Sequence, residues 1–540
     1  MRLRPRTSRV VAGVALACCA LLVGACGAAD RGAVSEGALQ ERDPYGGDPA
    51  AEGTPKPGGT LLLGMDREIV SFDPTVQNSN MAATAVYDSL MKLTPDGKAE
   101  PYLARSMETT DGGTTWVLAL RPAVTFSDGT PLDANAVIVN TQRHIDKVSS
   151  PAHAFAERIT SMRAVDPLTV EFVLDGPFGD FPVVFAQPIT YGSLGLIVSP
   201  AALQRYGDDI GRHPVGAGPF TFTEWVPDSR TVLTKNPSYW QEGKPYLDAL
   251  EFRPLPDTET RYASIENGDV DVVFGGYNQE LVRAGQNPNL RVYYGPGNAG
   301  EYLYFNFTGP PFDDRRMREA LIRSLDLKAL AASQYSGRLV AATSLFTESS
   351  PYHTAAASEA WPAYDPERAK QLIAEYRADG GNPDFTFKTT QTRVPFGEFL
   401  QAQMAAVGID VQLQFYDLAQ FSSSVVQSND FQLTTWIGTF DSPFPGVTRL
   451  LHTGGNTNYG KYSNPRVDAL LDEAAATSDP AVRTNAYQQV ETLVGQDLAM
   501  AWFSRSYLST ITKPEVKGVD RYVSRDMFYA TTWLDRDTAR

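Results

Sequence analysis

The sequence predicts a mixed α/β protein built as two or three lobes. Three observations carry this expectation. The chain has 540 residues, more than a single apolar core can serve. A hydrophobic share of 42% and an aromatic share of 11% supply enough apolar surface for several cores in a folded globular chain. Segments of helical spacing alternate with segments of strand-like alternation along most of the length, the pattern of sheets covered by helices.

The N-terminus is read apart from that body. Arg2, Arg4, Arg6 and Arg9 form a basic start, and Val10 to Ala25 is an uncharged run of 16 residues. That is short of the ~20 needed to span a bilayer, so it reads as the apolar region of a secretory leader. The cysteines are Cys18, Cys19 and Cys26, all within or at the end of this segment. The mature body therefore has no disulfide and owes its stability to its cores. Val23-Gly24-Ala25-Cys26 resembles a bacterial lipobox, which implies cleavage before Cys26 and a diacylglycerol anchor on it. The competing reading is an ordinary cleavage site beside a chance cysteine, and the rarity of a lone thiol in a secreted chain speaks against it. Residues 1–26 are the leader. Residues 27–57, rich in Gly, Ala, Asp, Glu and Pro, read as a flexible tether. A net charge of −16 argues against nucleic acid as a partner.

In the body, Thr60 to Met65 is a short apolar run and predicts a buried strand, closed by a turn at Asp73-Pro74. Asn80 to Leu93 predicts a helix. Thr94-Pro-Asp-Gly97 is a tight turn. Trp116, Leu118 and Leu120 alternate after Gly112-Gly113, a hairpin signal. Asp133 is placed to cap a helix. Glu266-Asn-Gly268 ends one helix, and Asp479-Pro480 begins another in which Val482, Ala486, Val490 and Val494 recur at helical spacing. Phe431, Leu433 and Thr435 alternate with Gln432, Thr434 and Trp436 as a strand, which is expected to break at Gly438 and to end near Pro443. An indole, a hydroxyl and a carboxylate, those of Trp436, Thr439 and Asp441, crowd that break, as a small-molecule pocket requires. A core tryptophan at a strand end is the competing reading.

Several of these segments occur together, in order, in a known family. Pro101 to Arg121 with Val124-Thr-Phe126-Ser-Asp128-Gly129-Thr130-Pro131-Leu-Asp133-Ala resembles the signature region of the family 5 extracellular solute-binding proteins, the peptide and nickel class of ABC-importer receptors. Gly216-Ala-Gly218-Pro219-Phe and Asn236-Pro237-Ser-Tyr239-Trp240 are similar to the family's turn and stop. Leu303-Tyr-Phe305-Asn306-Phe with Pro310-Pro-Phe312-Asp313-Asp-Arg315-Arg-Met317-Arg318-Glu-Ala320-Leu resembles its central strand and following helix, and Tyr364-Asp365-Pro366-Glu-Arg-Ala369-Lys-Gln-Leu372 its Asp-Pro-capped helix.

The resemblance implies a type II periplasmic-binding-protein-like fold of two hinged lobes with a small lobe inserted. Lobe I would combine 58–88, 213–297 and 505–540, the inserted lobe 89–212, and lobe III 298–504. It implies a monomeric receptor that captures an oligopeptide or dipeptide by lobe closure and delivers it to an ABC permease in the membrane. In peptide-binding members an aspartate after the pocket tryptophan pairs with the ligand's α-ammonium. Thr439 stands at that position here, and a neutral hydroxyl makes a weaker bond than a charged one. Either Asp441 takes over or the ligand lacks a free amine there. The resemblance places Gln77, Asn78 and Asn80 in the pocket from the first lobe, His153 and Phe155 from the inserted lobe, Tyr302 at the crossover, and Trp502 and Phe503 near the return. A sugar, siderophore or metal-chelate ligand is the alternative.

Other chemistries find little support. Gly295-Pro-Gly297-Asn-Ala-Gly300 matches a dinucleotide fingerprint but is followed by an alternating strand where a helix is required. Gly455 to Lys461 approaches a phosphate loop, but Tyr462 replaces the metal-holding hydroxyl and Asn464-Pro465 interrupts any helix. The histidines, at 144, 153, 213, 353 and 452, have no metal-ligand spacing. There is no nucleophile elbow. No cofactor, metal or catalytic residue is expected, which leaves a lipid-anchored hydrolase or a signalling lipoprotein as weaker readings.

Overall fold

Three sheets order the chain, each assembled from strands far apart in sequence. The structure, a computed structural model, describes residues 43–76, 80–95, 97–276, 279–335, 339–440 and 442–536; the leader, Cys26 and the first part of the tether lie outside them. In the seven-stranded sheet, Thr60–Met65 lies between Ala249–Pro254 and Val272–Gly276, parallel to both. Neighbours on both edges and layers on both faces explain why this strand is apolar rather than alternating. Phe220–Val226 and Arg230–Lys235 extend one side, Tyr507–Thr512 and Arg291–Pro296 the other. A four-stranded antiparallel sheet is formed by Ala104–Thr109, Thr115–Leu120, Thr169–Leu174 and Ile159–Asp166. Gly112 and Gly113, both at positive φ, make its hairpin.

The third sheet has five strands. Val411–Tyr416, Phe385–Thr390 and Leu433–Phe440 run parallel, Asn298–Phe305 runs against Leu433–Phe440, and Met500–Ser504 runs against Asn298–Phe305. Because side chains alternate along a strand, this sheet has two distinct faces. Leu303, Phe305, Leu433 and Phe503 share one core with Phe396, Leu400 and Met404. Tyr302, Tyr304, Met500 and Trp502 share the other with Val447, Leu471 and Val490.

Two crossovers join the first and third sheets. Only Gly297 separates Arg291–Pro296 from Asn298–Phe305, and only Arg505 and Ser506 separate Met500–Ser504 from Tyr507–Thr512. The crossovers lie side by side, with Gly297 N–H donating to Ser506 O at 2.9 Å. Arg505, 7% exposed, pins them: its guanidinium donates to Ala299 O at 2.8 Å, Phe346 O at 2.6 Å and Ser344 Oγ at 2.7 Å. The four-stranded unit is fastened to the seven-stranded one. Arg143 Nη2 donates to both oxygens of the Asp73 carboxylate, each at 2.9 Å, and Tyr522 and Phe528 sit in the four-stranded unit's core.

The expected strand at Thr60–Met65, the turn at Gly97, the cap at Asp133 and the helices Thr258–Asn267, Pro366–Ala378 and Pro480–Asp497 are all present. Three local expectations are corrected. The helix expected over 80–93 is confined to Ala83–Tyr87, followed by the strand Met91–Leu93. Asp88 stops it at φ 51, with its buried carboxylate accepting from Tyr239 Oη at 2.7 Å and Trp240 Nε1 at 3.1 Å. Leu433–Phe440 does not break at Gly438, which sits in register with Gly300 across the ladder. The tether, expected free to residue 57, lies on the body from residue 43. Glu52 holds Arg291 at 2.6 Å and the Gly518 N–H at 2.5 Å, and Gly47 N–H donates to Val519 O at 3.1 Å. Ion pairing and backbone bonds hold this segment where apolar burial could not.

Candidate functional site

The carboxyl ends of the three parallel strands, the start of Asn298–Phe305 and the end of Met500–Ser504 all lie at one end of the five-stranded sheet. The crossovers leave from that same end. In sheets of this kind ligands bind outside the carboxyl ends of the strands, so the residues that emerge there define the site.

On one face, Tyr302 stands in register with Trp436 on one neighbour and Trp502 on the other. Tyr302 and Trp502 meet edge to face at 4.9 Å. Trp436 is only half-buried and lies between Phe421 at 6.2 Å and Tyr459 at 6.0 Å. The result is an aromatic slab whose inner members, Tyr302 and Trp502, are 0% and 3% exposed, while Trp436 and Tyr459 keep open surface. The Tyr302 hydroxyl is buried without a hydrogen-bond partner among the described residues.

The opposite face of the same end is charged. Glu301, in register with the half-exposed Ile437, accepts from Arg393 and, at 3.1 Å, from Tyr335 Oη. Arg393 follows directly on Phe385–Thr390, in the short helical turn Gln391–Arg393. Burial works against its charge, but Glu301 beside it raises its pKa further than burial lowers it. Sequence reading missed Glu301, Arg393, Tyr335 and Tyr459. A glutamate directly before the apolar run Tyr302-Leu-Tyr-Phe305 was the available signal.

The expected site residues fall into three groups. Trp436, Tyr302 and Trp502 come together on one face. Phe503 lies on the other face and stacks on Phe396 at 4.8 Å inside the core; neighbours on a strand point to opposite sides. Asn80 is 1% exposed and both ends of its amide serve the backbone, donating to Ser71 O and accepting from Ala82 N–H, each at 2.9 Å. His153 is half-buried, with Nδ1 3.1 Å from His144 O and Nε2 3.4 Å from Glu157. Phe155 is 6% exposed and packs on Phe444 at 5.4 Å. Gln77, Asn78 and Asp441 lie outside the described residues, as does the side chain of Thr439, whose backbone pairs with Ala299. Among the described residues no group of three His, Cys, Asp or Glu could hold a metal ion, and no helix is long and apolar enough to cross a membrane.

Comparison with known proteins agrees with this architecture. Residues 98–459 match the model of the bacterial extracellular solute-binding proteins, family 5 middle region. The glutathione-binding protein GsiB of Shigella dysenteriae serotype 1 is 30% identical over 464 residues, covering 81% of this chain and 87% of GsiB. The periplasmic binding protein DppA of Helicobacter pylori, solved with the peptide STSA, superposes with a TM-score of 0.76 at 23% identity, over 89% of this chain and 99% of DppA. AgaA from A. tumefaciens R10, solved with agropinic acid, gives the same TM-score, 0.76, also at 23% identity and over 89% and 99% of the two chains. The fold is the type II periplasmic-binding-protein α/β fold. The chain is a member of the family 5 bacterial extracellular solute-binding proteins, the receptors of ABC importers.

Proposed function

We propose that the chain is an extracytoplasmic receptor that captures a short peptide or peptide-like solute and hands it to an ABC permease, anchored through a lipid on Cys26. The observation that carries the ligand class is the pairing of an open aromatic edge, Trp436 and Tyr459, with the Glu301–Arg393–Tyr335 cluster at the same sheet end. Apolar surface on one face of the sheet end and a charged cluster on the other offer the two kinds of contact that a small zwitterion takes. An arginine fork matches a carboxylate, and a glutamate can accept from an ammonium. The name of the GsiB relative, which speaks of glutathione, supports the same class. Thr439 at the position of the family's ammonium-binding aspartate, together with the opine named for AgaA, favours a ligand whose amine is not a plain peptide N-terminus.

The lobes divide as the sheets do. The seven- and four-stranded units form one jaw and the five-stranded unit the other, with the crossovers at Gly297 and Arg505-Ser506 as the hinge. Ligand contacts to both jaws favour the closed form by differential affinity. Two measurements test the reading on the full chain: native mass spectrometry of the protein as purified, and calorimetric titration with glutathione and with di- and tripeptides. A retained or titrated peptide-like molecule is expected. A retained sugar or metal chelate, with no heat from any peptide, would overturn the ligand class.

A further inference from the structure

Apart from the crossovers, the two jaws meet at a second seam. The segment leaving Leu433–Phe440 carries Phe444, and that ring is not in its own unit's core. It is 4% exposed and lies among the core rings of the four-stranded unit, 5.4 Å from Phe155 and 5.0 Å from Phe178. Beside it, Asp180 of the four-stranded unit, 2% exposed, faces Arg483 of Pro480–Asp497 at 2.9 Å. Gly179 N–H donates to Ala475 O at 2.7 Å. The backbones approach so closely there that a Cβ on Gly179 would stand 1.9 Å from Thr477 O.

We propose that this seam is a closure latch, in which Phe444 is the positioning residue that links the ligand strand to the seam and the Asp180–Arg483 pair sets the register in which the jaws meet. The proposal rests on the clamp reading above. Its physical basis is the tether length. Three residues separate Phe440, the end of the Trp436 strand, from Phe444, and a chain spans at most about 3.5 Å per residue. A seated Phe444 therefore keeps the strand end within about 14 Å of the seam, and a ligand that holds the strand end in place holds Phe444 within reach of its seat. The pair adds specificity rather than strength. Once buried, each charge depends on the other, so a partly opened or misaligned seam leaves a charge unpaired.

The test is hydrogen–deuterium exchange on the full chain, wild type against Gly179→Ala and Phe444→Ala, with and without glutathione as probe. Gly179→Ala keeps its N–H and inserts only a wedge, so it covers the case in which Phe444→Ala disturbs the four-stranded core. The expected result is at least tenfold faster exchange of the Gly179–Val184 and Ala475–Arg483 amides in both variants. Exchange in Thr169–Leu174 and Asn298–Phe305 stays unchanged, and glutathione slows the wild-type seam. Any bound glutathione leaves at least tenfold faster from the variants at an unchanged association rate. Seam amides that accelerate in both variants of a chain indifferent to glutathione keep the latch and remove only the glutathione ligand. Seam amides as protected in Gly179→Ala as in wild type show a permanent joint and overturn the latch.

Discussion

At the scale of single residues, the site is a division of labour between side chains that hold shape and side chains that meet solvent. Tyr302 belongs to the first kind. Its hydroxyl is fully buried without a partner among the described residues, a desolvation cost with no return. Tyr302→Phe is therefore expected to leave urea stability unchanged or to raise it by about 1 kcal/mol; a clear loss would mean that the hydroxyl has a partner in solution. Trp436 belongs to the second kind. Trp436→Ala should weaken binding of any accepted peptide at least tenfold by calorimetry, while costing about 2 kcal/mol or less of stability because the ring is only half-buried. Arg505 is the strictest case. Arg505→Met removes the bonds to Ala299 O, Phe346 O and Ser344 Oγ, although Phe346 O keeps the Ser344 hydroxyl and Leu345 O keeps the Ala299 N–H, and is expected to cost about 2 kcal/mol in a denaturant melt. The sequence made Trp436 visible, because an indole beside Thr439 and Asp441 at a strand end is an unusual concentration of chemistry. It could not separate Trp502 from Phe503. That distinction is set by which face each residue turns to, and face follows from a pairing register with Asn298–Phe305, nearly two hundred residues earlier.

At the scale of elements, local signals succeeded where the cause is local. Asp133, Asp365 and Asp479 cap helices by accepting from backbone N–H groups two or three residues on, and such bonds are written in adjacent residues. The 80–93 segment failed for the opposite reason. Its apolar residues suit a helix, but Asp88 is drawn off by Tyr239 and Trp240, more than a hundred residues away. Gly438 misled similarly: glycine suggests a break, yet here it lies opposite Gly300, where a Cβ would meet Ser504 O at 2.2 Å. The seam has an element-level consequence in pH. Burial pushes the Asp180 carboxyl up to about 7 against the pull of Arg483. Arg483 and Tyr487 face it from the helix, and Lys98, Glu108 and Tyr352 line the adjoining cavity of about 520 Å³. Apart, the jaws would return Asp180 to the ordinary carboxylate range. The docked form thus holds the proton more tightly, so docking strengthens as pH falls from about 7 towards about 4 and is level above that window. Seam amide exchange, corrected for intrinsic rates, should show firmer docking at pH 5.5 than at pH 8 in wild type and little difference in Asp180→Asn.

At the scale of the whole molecule, length and composition implied more than one core, and the alternation of helices with strands followed from periodicity. The sheet membership did not. The seven-stranded sheet takes strands from residues 60 to 512, and nothing in composition marks Thr60–Met65 and Tyr507–Thr512 as near neighbours. Only the resemblance carried by Gly216-Ala-Gly218-Pro219 and Asn236-Pro237 implied such an order. The chain passes twice between the seven- and five-stranded sheets, and Gly297 and Arg505-Ser506 are the residues between strands at those crossovers; the proposed clamp needs them to act as its hinge. The account stands on that hinge. It is tested most directly by small-angle X-ray scattering of the full chain without and with a saturating ligand whose binding has been verified calorimetrically in the same sample. A smaller radius of gyration in the bound sample is the result expected of jaws that close. An unchanged radius with ligand demonstrably bound would contradict it.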